Sequence, residues 1–339
     1  MAMRWKKRPA NSTWGDFGED DQRGRLNLLT PERIVRAAQE IKVGQSFCLS
    51  LPLELPGGNL LNQNRQPPIR HVTRRKADHP NVNYPFTLEH PSFIDVVCDD
   101  AVTLFTQYST QWDALAHVGQ QFDADDDGEP EAVYYNGFRG GEDVIGPDAE
   151  GGPAARKLGI ENMATSCVQG RGVMVDLHAV FGAPRHLVGY DDLMQTMEQQ
   201  RVEVEEGDML CLHTGFADAI LKMAGNPDPD VLRDGYAVLN GRDDRLLHWL
   251  EDSGIAVLIA DNYAVEQVQG PLVGCAHCAA MPLHQACLFR LGIHLGELWH
   301  LTPLNDWLKK NGRYRFLLTA PPLRLTGSFG SPVTPVATV

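Results

Sequence analysis

Gln107-Tyr108-Ser109-Thr110-Gln111-Trp112-Asp113-Ala114-Leu115-Ala116-His117 sets two carboxamides, one carboxylate and one imidazole within eleven residues. The run before it, Val102-Thr103-Leu104-Phe105, reads as a strand, being rich in β-branched and apolar side chains. In an extended chain residues i and i+2 face the same side, so Gln111 and Asp113 converge on one point. Gln107 shares that parity if no bulge intervenes, and His117, past a short apolar step, can overhang the point from the far side. On spacing alone, the stretch equally suits a buried polar strand end whose groups satisfy one another.

Composition narrows the class. The chain has 339 residues, 43% hydrophobic and 22% charged, enough for one large or two ordinary domains. A net charge of −14 argues against nucleic acid or an anionic membrane as partner, since both need a basic footprint. No run of eighteen apolar residues is present, and the basic start Met1-Ala2-Met3-Arg4-Trp5-Lys6-Lys7 lacks the apolar core of a secretory signal. Seven scattered cysteines fit reduced thiols better than a disulfide framework. A soluble cytoplasmic protein is expected.

Residues 1–50 hold an aromatic, glycine- and charge-rich arm followed by one helix. Thr30-Pro31-Glu32 supplies a hydroxyl N-cap and a proline at the first helical position, and Ile34, Ala37, Ala38 and Ile41 follow at helical spacing. Residues 51–100 lack periodicity and carry loop signals at Gly57-Gly58 and Pro67-Pro68; the basic cluster Arg74-Arg75-Lys76 suits a solvated face more than an anion site. Asp123, Asp125, Asp127 and Gly128 match half of a calcium loop, but Tyr134 stands where the bidentate glutamate belongs, so an acidic surface loop is expected.

From residue 160 the pattern alternates between strand and helix. Residues 171–177 read as a strand, 207–215 as a turn, a strand and a second turn, and 255–262 as an apolar strand ending in polar groups; a helix starts over 189–193 and runs to about 200, and 243–250 reads as another. In Pro282-Leu283-His284-Gln285-Ala286-Cys287-Leu288-Phe289-Arg290-Leu291-Gly292, glycine ends a short helix, and 293–298 returns as a strand carrying Glu297. Cys275-Ala276-His277-Cys278 gathers soft ligands, but structural zinc wants a second pair, and Cys287 and His294 already sit in regular elements.

These segments, in this order, resemble the metal-dependent cyclase family, which includes bacterial kynurenine formamidase and isatin hydrolase. Gln107-x3-Gln111-x-Asp113-x3-His117 is similar to that family's H-x-G-T-H-x-D-x-P-x-H, with both leading histidines replaced by glutamine and Leu115 in place of proline. Arg171-Gly172-Val173, Gly207-Asp208…Thr214-Gly215, Gly254-Ile255…Asp261-Asn262 and Gly330-Ser331-Pro332 match further family segments, so the resemblance covers nearly the whole chain. It implies an α/β fold of the swivelling β/β/α type, a single large domain over 51–339 behind the 1–50 arm and helix, and a homo-oligomer, dimer or tetramer. Family arms of this kind pack either on a neighbouring subunit or over their own surface.

The resemblance also places His284 and Glu297, with Asp113, as metal ligands and His117 as general acid/base. Gln107 and Gln111 then add amide oxygens or hold a water. Two carboxylates and one imidazole suit one divalent ion per chain: zinc by resemblance, manganese by the hardness of the oxygen-rich set. Such an ion lowers the pKa of a bound water toward about 7 and polarises a carbonyl. No G-x-S-x-G elbow offers a serine mechanism. The expected function is hydrolysis of a lactone or similar carbonyl bond in a small cyclic substrate, because the glutamine variant looks most like the metal-dependent trans-dienelactone hydrolase branch. Alternatives are an amide hydrolase of the arylformamidase or isatin-hydrolase type, and a non-catalytic ligand-binding member.

Overall fold

Continuous apolar runs dictate the middle of the molecule. Val173-Met174-Val175, Met209-Leu210-Cys211-Leu212 and Val257-Leu258-Ile259-Ala260 lack polar alternation, the pattern of parallel strands covered on both faces. The computed structural model, which describes residues 4–268 and 277–339, sets them side by side in one mixed sheet. Among the described residues its strands are β1 (Ser46–Cys48), β2 (Gln111–Asp113), β3 (Gln169–Asp176), β4 (Met209–His213), β5 (Val257–Ala260), β6 (His294–Glu297), β7 (Arg315–Thr319), β8 (Gly330–Pro332) and β9 (Val336–Thr338). Across the sheet the order is β1-β9-β7-β3-β4-β5-β6-β2-β8. The strands β3, β4, β5 and β6 run parallel, whereas β2 joins both β6 and β8 antiparallel. Because β1 belongs to the same sheet, the first fifty residues and the rest share one α/β domain.

Helices cover both faces. Those that position the site or fill the core are α1 (Pro31–Ala38), α2 (Tyr190–Gln200), α3 (Asp244–Asp252), α4 (Pro282–His284, continuing as a π-helix over Gln285–Leu291) and α5 (Thr302–Lys310). Thr30 caps α1, accepting from the Arg33 amide, and Asp243 caps α3. Alternate strand residues go to opposite faces. Val173, Val175, Leu210, Leu212, Leu258 and Leu295 meet Leu193 of α2 and Leu246 of α3 on one side. Met174, Met209, Cys211, Val257 and Ile259 meet Leu304 and Leu308 of α5 on the other. Thr302 does not cap α5 by its side chain; its Oγ1 lies 3.0 Å from His213 Nε2 instead.

The arm wraps its own chain. The Trp14 ring is fully buried, with its centroid 5.1 Å from that of Phe289, and its Nε1 donates to the Phe289 carbonyl at 2.7 Å. Asn136 donates to the carbonyls of Gly18, Glu19 and Asp21 and accepts from the Gly15 amide. At Gly24 (φ 57°) the backbone abuts Gly292, whose carbonyl oxygen would lie 2.1 Å from any added Cβ. The arm therefore braces the back of α4.

Residues 66–105 form a separate lobe of short ladders, with Ile69–Val72 pairing antiparallel to Asp100–Thr103. The strand expected over 102–105 thus ends at Thr103 and belongs to this lobe, so Gln107 reaches the site through a turn rather than along a strand. No helix among the described residues is long and apolar enough to cross a membrane. Cys48, Cys98, Cys167, Cys211 and Cys287 are free thiols, while Cys278 is disulfide-bonded, which departs from the expectation of reduced thiols throughout. Cys275 and Ala276 of the Cys275–Cys278 cluster lie outside the described residues.

Candidate metal centre and active site

Strand parity builds the floor of the site. Trp112 turns to one face, where its ring meets that of Trp299 at 5.0 Å, and so Gln111 and Asp113 turn to the other. Glu297 of β6 sits in register with Gln111 and shares the Leu295 side of its strand. The third acid arrives from a turn. Glu266 accepts from the backbone amides of Leu283 at 2.9 Å and His284 at 2.8 Å, in the first turn of α4, where amides otherwise lack partners. The same carboxylate accepts from His284 Nδ1 at 2.8 Å, which fixes the ring and leaves Nε2 for the site.

His284 Nε2 lies 3.3 Å from Glu297 Oε1 and 3.8 Å from Asp113 Oδ2, all three residues being buried. One ligand atom from each of Asp113, His284 and Glu297 falls within 4.8 Å of the others. The two glutamines attach to these acids: Gln107 Nε2 donates to Asp113 Oδ1, and Gln111 Nε2 to Glu297 Oε2 at 3.2 Å. Gly330 makes room for the first of these bonds, since a Cβ there would lie 2.6 Å from Gln107 Cγ. Asp113 Oδ2 and Gln111 Oε1 are left buried without a hydrogen-bond partner. His117 is half-buried, its ring centroid 6.4 Å from that of His284.

Strained backbone frames the acids. Ala264 (φ 68°) and Val265 (φ 55°) precede Glu266, and Leu298 (φ 57°) follows Glu297. A β-branched residue in the left-handed region is a genuine outlier, of the kind that clusters at functional sites. Thr110 holds the last of these turns, donating to the Leu298 carbonyl at 2.6 Å while accepting from the Leu51 amide.

Charge in this pocket is tightly coupled. Burial pushes the Asp113 carboxyl up. Burial would also raise Glu297, but the bond from His284 outweighs it and holds that carboxyl down. Desolvation alone would lower His284; its bonds to Glu266 and Glu297 push it up to about 10 instead. Burial lowers His117, so its imidazole is neutral at pH 7. A proton on His284 partly neutralises the acids yet leaves Asp113 Oδ2 without a partner. Two carboxylates, one oriented imidazole and two orphaned oxygens fit a divalent cation.

Other candidates stand apart. Asp123, Asp125 and Asp127 also gather, but Asp123 spends both oxygens on the amides of Asp127 and Gly128, as a surface turn does. Arg74, Arg75 and Lys76 pair with Asp78 and Glu89 on the lobe.

A family model named Cyclase matches residues 48–267, which is most of the chain and contains the Gln107–His117 segment. The chain belongs to the cyclase family. A crystal structure described as a novel cyclase is similar over 97% of both chains, with 30% identity and a TM-score of 0.75. Isatin hydrolase A from Ralstonia solanacearum shares the cyclase fold at 16% identity and a TM-score of 0.53, over 86% of this chain and 91% of that one. Isatin hydrolase A from Labrenzia aggregata, bound to benzyl benzoate, does so at 12% identity and 0.54, over 90% and 97%. No curated protein matches. Glu266 is the site acid that sequence reading passes over. No local pattern singles it out, because Asp261 and Asn262 already stand between it and the apolar run 255–260.

Proposed function

We propose that this cyclase-family protein is a metal-dependent hydrolase that opens a lactone or similar carbonyl bond in a small cyclic substrate. The observation that carries the reading is the buried set of Asp113, His284 and Glu297, with Asp113 Oδ2 and the neighbouring Gln111 Oε1 buried and unpartnered. It takes one divalent ion per chain, zinc or manganese. What such an ion supplies when bound is Lewis acidity toward a carbonyl and a more acidic water. The chain does the rest. Glu266 holds the His284 ring by Nδ1, and Gln107 keeps the Asp113 carboxylate from rotating. His117, beside His284 and reachable from solvent, takes a proton from the attacking water and returns it to the leaving group.

Amide hydrolysis is the second reading, favoured by the isatin hydrolases that share the fold, one of them bound to the product analogue thioisatinate. A non-catalytic binder would have no need to keep a partnerless Asp113 oxygen at 0% exposure, because burying such a group without a partner costs stability. We also propose self-association in the cytoplasm through the lobe, where Ile69, Leu88, Ile94, Val96 and Val102 are each more than half exposed.

Elemental analysis of the purified protein, Asp113→Ala and His284→Ala tests the reading. About one zinc or manganese per chain is expected, lost in both variants. An absence of metal after reconstitution overturns the hydrolase.

A further inference from the structure

Arg65 and Gln107 are 42 positions apart, yet Arg65 Nη1 donates to the Gln107 backbone carbonyl. The bond closes the neck of the lobe and brings a guanidinium to the rim of the acidic site, beside the residue whose side chain holds Asp113. Arg65 lines a small cleft with Asn59, Asn62, Gln107, Tyr108 and Tyr263. Its positive charge is felt at His117, Glu297 and Tyr263. It forms no ion pair with a carboxylate among the described residues, and its one side-chain hydrogen bond there uses a single N–H. Across the cleft the Tyr263 hydroxyl accepts from Asn62 Nδ2 at 2.8 Å, which leaves its own proton to donate.

A half-buried arginine with unused donors is out of place if its only task is to bridge a carbonyl, which any amide side chain performs. A chain of net charge −14 with Asp113, Glu266 and Glu297 in its site repels anions unless a local cation admits them. The guanidinium fork matches a carboxylate with two parallel bonds. We propose that Arg65, with the Tyr263 hydroxyl beside it, anchors a carboxylate on the substrate, so that the site selects carboxylate-bearing lactones or esters over neutral ones. This rests on the hydrolytic reading of the site and names its substrate class.

Isothermal titration of the metal-loaded protein with benzoate and with neutral benzamide is the test, run on wild type, Arg65→Met and Arg65→Lys. Benzoate is expected to bind wild type more tightly than benzamide. R65M should lose about 10- to 100-fold in benzoate affinity with benzamide unchanged, the scale of a charge-assisted pair. Benzoate held by the ion itself would survive R65M, so the loss reports the guanidinium. R65K, which keeps the charge and loses the fork, should lose severalfold for benzoate alone, and serves if R65M folds poorly. Equal affinity for the two probes, or variants that weaken both alike, overturns the anchor. Hydrolysis of a carboxylate-bearing lactone, 5-oxotetrahydrofuran-2-carboxylate, beside the neutral lactone dihydrocoumarin reads the parent proposal separately: no turnover of either, with Arg65-dependent benzoate binding intact, removes the hydrolase and leaves the anchor.

Discussion

Glu266 bonds the His284 ring, whereas His117 only stands near it. Glu266 is locked by three bonds, two of them from the α4 backbone, and so has no freedom to shuttle protons. His117 has none of these constraints: its ring stands 6.4 Å from that of His284 and reaches solvent. His117→Ala should therefore lower kcat by roughly 10²–10⁴ while leaving metal content at wild-type level, measured by steady-state kinetics beside elemental analysis. Loss of metal in that variant would make His117 a ligand instead. Gln111 and Asp113 are legible in the sequence because a strand alternates every second residue, whatever the rest of the chain does. Glu266 is not, since its approach depends on left-handed turns at Ala264 and Val265 that no local pattern announces. Arg65 is hidden for a different reason: its meeting with Gln107, 42 positions away, is created by the closure of the chain between them.

The parallel strands carry a second polar group at their ends, away from the metal centre. His213 at the end of β4 bonds Asp176 at the end of β3 at 2.9 Å, and Asp176 also accepts from Asn305 of α5 at 3.0 Å. Burial would lower His213, but the Asp176 bond and the nearby Asp261 raise it; burial would raise Asp176, but the bonds from His213 and Asn305 hold it down to about 2. The signs fix a window. The raised imidazole stabilises fully below its ordinary pKa of 6.5 and loses that contribution as pH climbs through its folded value. The depressed carboxyl stabilises above 3.8 and loses its contribution as pH falls toward 2. His213→Gln should cost on the order of 2 kcal/mol between about pH 4 and 6.5, with the difference from wild type narrowing on both sides, read from thermal melts across pH. A flat difference would show that the pair packs without exchanging charge. The parallel strands and the helices α2 and α3 are legible because apolar runs and caps are local, although α1 ends at Ala38, short of Ile41; α4 as a π-helix is not, since its winding answers to the arm and to Glu266.

For the molecule as a whole, the two apolar layers and the metal floor owe little to the lobe. Among its described side chains only Asn81 and Tyr84 are buried, and none joins an apolar cluster. Light scattering should give a mass of two or four chains, and Ile94→Asp with Val96→Asp should shift it toward one without lowering the melting temperature by more than a few degrees. A monomeric wild type would assign the exposed residues another role. The family fold is legible in this sequence because its segments recur in a fixed order, whereas the lobe is not, having neither periodicity nor a core. Its two ends meet at Arg65 and Gln107, and the ladder of Ile69–Val72 with Asp100–Thr103 keeps them together. The excursion is thus a cassette plugged into the rim of a finished scaffold. Grafting another loop between those anchors would change what the rim admits while leaving the floor beneath it untouched, which makes this neck the natural port for re-engineering selectivity.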